Sequence, residues 1–264
     1  IELAEQSIEH AVVTMATSDR PQLMLAGEAL AARNLKRVGI EEQYLTVEAY
    51  WGMQRVFPVG TELVPASALL TELRGTKDAE ELERMRRAQA ITDRVFSEIL
   101  NDLKPGVTER QIAARLTYLQ MYYGAEKNSF DPIVASGANG SMPHAVPGDK
   151  SICQGEFVTM DFGCVCGGYC SDMTRTVAVG EPTEEMRQVY DAVLRAQLAG
   201  IARARAGIPG CEIHNAAWQV LREAGYGDYF GHGLGHGVGL QVHEAPRLNT
   251  TSGEQLLPGM VVTI

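Results

Sequence analysis

Two aspartates on one apolar ribbon constrain this chain more than any other feature. The run Val158-Thr159-Met160-Asp161-Phe162-Gly163 and the run Tyr169-Cys170-Ser171-Asp172-Met173-Thr174-Arg175-Thr176 read as the two arms of a hairpin. With the turn centred on Cys166-Gly167, Asp161 and Asp172 fall directly opposite each other on one face, their Cβ atoms about 5 Å apart. Two carboxylates that close repel unless a cation neutralises them or one takes up a proton. A divalent metal is the simplest resolution, and a histidine is a natural third ligand. Histidines follow downstream in Gly231-His232-Gly233-Leu234-Gly235-His236-Gly237-Val238-Gly239.

Each of these residues has a plainer role to be weighed. Taken singly, Asp161 is a strand-end residue satisfied by the turn, and Asp172 a hairpin partner of Arg175. As a pair on a hydrophobic hairpin they are costly without compensation, which favours a site. His232 and His236 have the spacing of one helix face, but the glycines between 231 and 237 exclude a helix. Those glycines read as room for a backbone that passes close to a ligand or a neighbouring strand. Two histidines in this setting, with His243 following, favour a site over a structural role. His144 lies in the glycine-rich loop Ser136-Gly137-Ala138-Asn139-Gly140-Ser141-Met142-Pro143-His144, where either role is open. Cys164, Cys166 and Cys170 lack the paired C-x-x-C knuckles of structural zinc sites, so they read as buried strand cysteines.

The chain has 264 residues, 45% apolar and 21% charged, in the range of a soluble globular protein. Its net charge of −10 argues against binding nucleic acid or an anionic membrane surface. No apolar run approaches the roughly 18 residues needed to span a bilayer. Five cysteines, an odd number with three crowded together, do not form a disulfide framework, which favours a reducing cytoplasm.

Periodicity divides the chain near Arg74-Gly75. Residues 1–75 read as a small α/β unit, with strands at Ala11–Met15 and Gln22–Leu25, helices at Glu28–Arg37 and Thr46–Val56, and an edge strand at Glu62–Pro65. Residues 71–77 read as a linker. A long amphipathic helix follows over about 78–103, then a capped helix from Thr108 to near Gly124, and two more at 183–206 and 212–224. Strands are predicted at Pro132–Val134, Glu156–Phe162, Tyr169–Val179, Val238–His243 and Met260–Ile264. Helices alternate with hairpins rather than with single strands, which makes the fold α+β.

Several motifs together carry a family resemblance. Asp-Phe-Gly at 161–163, Ser-Asp-Met-Thr-Arg-Thr at 171–176, Gly-His-Gly-Leu-Gly-His-Gly-Val-Gly-Leu at 231–240 and Val-His-Glu at 242–244 resemble the Xaa-Pro peptidase branch of the aminopeptidase P, prolidase and methionine aminopeptidase superfamily. The segment from Leu73-Arg74 to Arg86-Arg87 resembles the junction into its catalytic domain, and the likeness runs from about residue 40 to the end. It implies a pita-bread (creatinase/aminopeptidase-like) catalytic domain at 76–264, preceded by a partial creatinase-like N-terminal α/β domain at 1–75.

The resemblance also implies two divalent metal ions, Mn2+ foremost and Co2+ or Zn2+ as alternatives. Asp161 matches the first aspartate ligand, Asp172 the bridging aspartate and His236 the histidine ligand. The two glutamate ligands of the family fall beyond Ile264, so the chain reads as truncated before them and, as it stands, as a weak metal binder without activity. Glu244 and Glu254 occupy neither glutamate position. His144 and His243 match histidines that assist the leaving group or contact the reacting substrate, and His232 matches one lining the substrate pocket. The implied reaction is metal-assisted hydrolysis of Xaa-Pro bonds in peptides with proline at the second position. An aminopeptidase P-like enzyme is the first reading, a prolidase-type dipeptidase the second, and a non-catalytic binding module the third. A metal-free, creatinase-like enzyme is disfavoured by the retained Asp161, Asp172 and His236. The resemblance allows a homodimer.

Overall fold

The computed structural model describes Ile8 and residues 11–264. They fall into two compact units, Ile1–Glu72 and Leu73–Ile264. In the first, α1 (Gln22–Ala32) starts after Pro21, and Asn34 turns the chain at φ 50°. β1 (Arg37–Ile40) pairs in parallel with β2 (Glu62–Pro65), and α2 (Val47–Val56) makes the crossover that a parallel pair requires. Two expected strands are absent. Residues 11–15 lie in no regular element, and Gln22–Leu25 is the first turn of α1. The stretch 22–32 holds strong helix formers and no β-branched residue, so the helix begins earlier than the acidic Glu28 suggests. It also ends earlier, because Arg37 already belongs to β1. The expected linker at 71–77 lies mostly within α3 (Ser67–Gly75).

The second unit opens with α4 (Ala79–Ile99). Asp78 accepts from the Glu81 N–H at 2.8 Å, and Glu81 accepts from the Asp78 N–H at 2.7 Å. This reciprocal cap satisfies two donors that a helix start leaves free. α4 buries Met85, Ala88, Thr92, Val95 and Ile99 at helical spacing. α5 (Glu109–Tyr122) is capped in the same way by Thr108 and Gln111. These helices cover an antiparallel sheet of β4 (Ile133–Ser136), β5 (Phe157–Phe162) and β8 (Met173–Ala178), in the order β4-β5-β8. Val158, Met160 and Phe162 of β5 are wholly buried in the core with Val95, Ile99, Ile112, Leu116 and Leu119. A strand alternates its faces, so Thr159 and Asp161 stand on the side away from that core.

β6 (Cys164–Cys166) and β7 (Tyr169–Cys170) continue the β5–β8 ribbon into another sheet, beside β3 (Lys127–Asn128). The turn centres on Gly167-Gly168, both at positive φ (60° and 78°), as a two-residue hairpin turn needs. The register is therefore shifted by two residues from expectation: Asp161 pairs with Thr174, and Asp172 is its diagonal neighbour. A shift of two keeps every side chain on its face, so both carboxylates still share one side. The ribbon bends between the two sheets at Gly163 and Ser171-Asp172. There a Cβ on Gly163 would strike the Ser171 carbonyl oxygen and come within 2.6 Å of Ser129 Oγ.

Towards the C-terminus, α6 (Glu184–Arg203) and α7 (Gly210–Glu223) pack around Ala192, Ala196, Ala217 and Leu221. β9 (Gly235–Gly237) pairs antiparallel with β10 (Glu244–Leu248). The strand expected at 238–243 is instead their connection, because Gly239 and the contacts of Glu244 turn the chain there. The run 260–264 makes a single β-bridge, Val262 to Gly237. Among the described residues no helix is long and apolar enough to cross a membrane. The mixture of helices with small antiparallel sheets is α+β, as the sequence predicts.

Substituting Gly163→Ala is expected to destabilise the protein by about 1–3 kcal/mol, the usual cost of overpacking a tight site. Urea denaturation measures it, and an unchanged midpoint would refute the close approach of the two strands.

Candidate active site

The site begins with the bend in the ribbon. Ser171 Oγ lies 2.6 Å from Thr92 Oγ1 of α4 and accepts from the Cys164 N–H at 2.9 Å. Ser129 Oγ donates to the Ser171 carbonyl at 2.8 Å, and the Ser129 N–H donates to Gly163 O at 3.0 Å. These bonds fix the backbone on both sides of the carboxylates. Sequence reasoning missed Thr92, Ser129 and Ser171. Thr92 left a signal, because it occupies a core position in the apolar stripe of α4.

Asp161 and Asp172 are both mostly buried and interact directly. Burial, then the charge of Asp161 and a hydrogen bond to it, push Asp172 up to about 7. Burial also raises Asp161, although bonds from Thr174 and Asp172 and the imidazoles of His243 and His144 pull the other way. A proton shared by the two carboxylates relieves their repulsion. Oδ1 of Asp161 is buried without a hydrogen-bond partner.

His236 faces the pair, with Nε2 3.4 Å from Asp172 Oδ2. Its Nδ1 is 3.1 Å from the Gly237 carbonyl, a contact that suits the tautomer protonated at Nδ1 with its lone pair on Nε2. Burial lowers the pKa of His236, which favours the neutral imidazole beside Asp172. The glycines around it serve close packing. A Cβ on Gly235 would strike the Thr263 carbonyl, and one on Gly237 the Ala245 carbonyl. His243 lies edge-on to His236, ring centroids 4.3 Å apart. Next to it, Glu244 is bound by Arg74 and by Lys77 Nζ at 3.2 Å, so it anchors the loop and is no free ligand.

The structure therefore brings Asp161, Asp172, His236 and His243 together, with His144 near enough to act electrostatically on Asp161. His144 itself is exposed on the loop after β4. His232 belongs to a different ring cluster: it stands edge-on to Phe230 at 4.9 Å, and Phe230 stacks on His214 at 5.3 Å. The cysteines stay apart from this chemistry. Cys164 and Cys170 are buried, and burial pushes the Cys170 thiol up to about 11.

Two carboxylates and an imidazole with its Nε2 free have the donor chemistry of a divalent-cation site, and the orphaned Oδ1 of Asp161 is an oxygen that a cation would satisfy. Asp172 interacts with both Asp161 and His236. Among the described residues, no three His, Cys, Asp or Glu side chains form a group that could hold a metal ion. A proton shared by the pair does in part what a cation would do.

The sign of the pH effect follows. In the native state Asp172 keeps its proton up to about pH 7, whereas unfolded it releases it near 3.8. The native state binds more protons across that window, so this group's contribution to stability falls as pH rises through it. The lowered pKa values of His214, His236 and His243 act the other way, removing stability as pH falls below roughly 6.5. The stability difference between the native sequence and Asp172→Asn, measured in chelator by thermal unfolding from about pH 5 to 8, isolates the carboxylate. That difference is expected to move against the native sequence as pH rises; a constant difference would contradict the pairing.

Metallopeptidase family M24 matches residues 83–264 of this chain. An Xaa-Pro dipeptidase of Pyrococcus furiosus is 38% identical over 234 residues, which are 88% of this chain and 66% of that relative. The solved structure of an Xaa-Pro dipeptidase from Bacillus anthracis superimposes with TM-score 0.92 at 37% identity, covering 99% of this chain and 72% of the other. An X-Pro aminopeptidase from Thermotoga maritima also gives TM-score 0.92, at 32% identity, with 99% and 73% covered. The chain thus spans about two thirds to three quarters of the proteins it resembles. A site of paired carboxylates and a neutral histidine, on the fold of the Xaa-Pro peptidases, places this chain in metallopeptidase family M24.

Proposed function

We propose that the protein hydrolyses Xaa-Pro dipeptides, with Mn2+ as the working ion. The observation that carries this reading is the buried Asp161–Asp172 pair with the free Nε2 of His236 at 3.4 Å. The motifs alone lean towards an aminopeptidase P-like enzyme. The dipeptidase relatives, at 37–38% identity, support the dipeptidase instead. Asp161 and Asp172 would supply oxygen donors to the cations, and His236 would add a nitrogen donor. When bound, such cations acidify a water and polarise the scissile carbonyl.

The remaining roles belong to the protein's own groups. His243, packed edge-on against His236, and His144, which acts electrostatically on Asp161, can donate hydrogen bonds to a substrate oxygen where negative charge develops. Proline's nitrogen carries no hydrogen, so the substrate must be recognised by ring shape rather than by that amide. His232 and Phe230 offer aromatic edges for such a wall.

In the full-length protein with Mn2+, Xaa-Pro dipeptides are expected to release proline with a higher kcat/KM than Xaa-Pro tripeptides of the same leading residues. Tripeptides cleaved equally well would replace the dipeptidase reading with the aminopeptidase one. Asp172→Asn is expected to lose more activity than the ~10–100-fold typical of an outer partner of a ligand, together with bound metal. Near-normal activity and metal content in that variant would rule out the assignment.

A further inference from the structure

Outside the carboxylate pair, the most heavily bonded acidic side chain is Glu109, in the first turn of α5. It is 1% exposed. Its Oε1 accepts from the Ser136 N–H at 2.7 Å, from Ser136 Oγ at 2.8 Å and from Asn139 Nδ2 at 3.0 Å. Its Oε2 accepts from Asn139 Nδ2 at 3.2 Å and from the Gly148 N–H at 3.4 Å. Burial pushes the carboxyl up, but these donors outweigh it and hold Glu109 below the usual carboxylate range. Every one of the donors belongs to one loop, at its start, its first turn and its end. His144 sits on that loop.

The backbone adds to the clamp. The Glu109 N–H donates to Lys150 O at 3.1 Å and the Arg110 N–H to Gly148 O at 3.0 Å. Lys150 Nζ in turn donates to Ser136 Oγ at 2.8 Å and pairs with Glu156 at 2.8 Å. Within the loop the bonds are short-range, Met142 N–H to Asn139 O at 3.0 Å, Ala145 N–H to Met142 O at 3.1 Å and Ser141 Oγ to Ala138 O at 2.9 Å. The strand entering the loop starts from Ile133, the register partner of Asp161. His144 is close enough to act electrostatically on Asp161, and its loop is held at both ends by the Glu109 carboxylate.

We propose that Glu109 is a positioning residue, holding the 137–148 loop so that His144 meets the substrate at the carboxylate pair. It rests on the reading of His144 as a group that touches the substrate. A misplacement of about 1 Å at such a group can cost on the order of 10²-fold in rate. Glu109→Gln keeps the shape but turns an amide N–H2 towards the Gly148 and Asn139 donors, which must then part.

The test combines Glu109→Gln, His144→Ala and the double variant in the full-length protein with Mn2+. Glu109→Gln is expected to lower kcat about 10–100-fold with KM and bound metal unchanged. Amide exchange should accelerate at 137–148 while β5 stays protected. In the His144→Ala background Glu109→Gln should add nothing, because its effect passes through that ring. Losses that multiply in the double variant, or an unchanged exchange pattern, would overturn the proposal. If His144→Ala alone leaves kcat intact, the catalytic reading of His144 fails, and exchange then shows separately whether Glu109 holds the loop. Should Glu109→Gln not fold, Asn139→Ala removes the loop's partner without emptying the buried carboxylate site. It is expected to show the same pattern, and its failure to do so counts equally against the proposal.

Discussion

Asp161 and Asp172 cannot both stay ionised while buried side by side, and the surrounding structure is arranged around that conflict. The core side of β5 is filled by Val158, Met160 and Phe162, so alternation leaves Asp161 nowhere but the opposite face. The bend at Gly163 and Ser171 then brings Asp172 onto the same face from the neighbouring strand. Thr92 and Ser129 hold the bend from the helix and from the preceding loop. A fold that buries two acids together loses stability unless a proton or a cation is supplied, which is the state a cation-dependent hydrolase exploits.

The sequence was most legible where chemistry and local rules coincide. The capping box at Thr108, the apolar stripe on α4 and the strand ending at Phe162 all appear in place. The glycines around His236 do pass close to other backbone, at the carbonyls of Thr263 and Ala245. The register was misjudged by two residues because the turn was centred on Cys166-Gly167, although Gly167-Gly168 is the dipeptide that a two-residue hairpin turn favours. The even shift preserved the shared face, and so the inference of an interacting pair survived the error.

Other features were not legible for physical reasons. Residues 22–25 are mostly apolar and of strand length, and their continuation into the alanine-rich stretch to Ala32 makes them helical. The strand expected at 238–243 is interrupted by a tertiary contact, the buried Glu244 held by Arg74 and Lys77, which no local pattern announces. The separation of His232 from His236 belongs to the same class. Four residues apart in sequence, one joins the Phe230–His214 stack and the other the carboxylates, because the intervening backbone is pinned to Leu248 and Thr263.

Two buried acids outside the pair show a further division of labour. Glu244 anchors the chain beside His243 through cations, and Glu109 anchors the loop of His144 through neutral donors. Each carboxylate is compensated in full by groups of its own neighbourhood, and both are held below the usual carboxylate range. Asp161 and Asp172 lack such compensation, and in them burial prevails and the net shift is upward. The contrast separates acids that hold the framework from acids left available to a ligand. It rests on hydrogen-bond saturation rather than on burial, since all four are largely withdrawn from solvent.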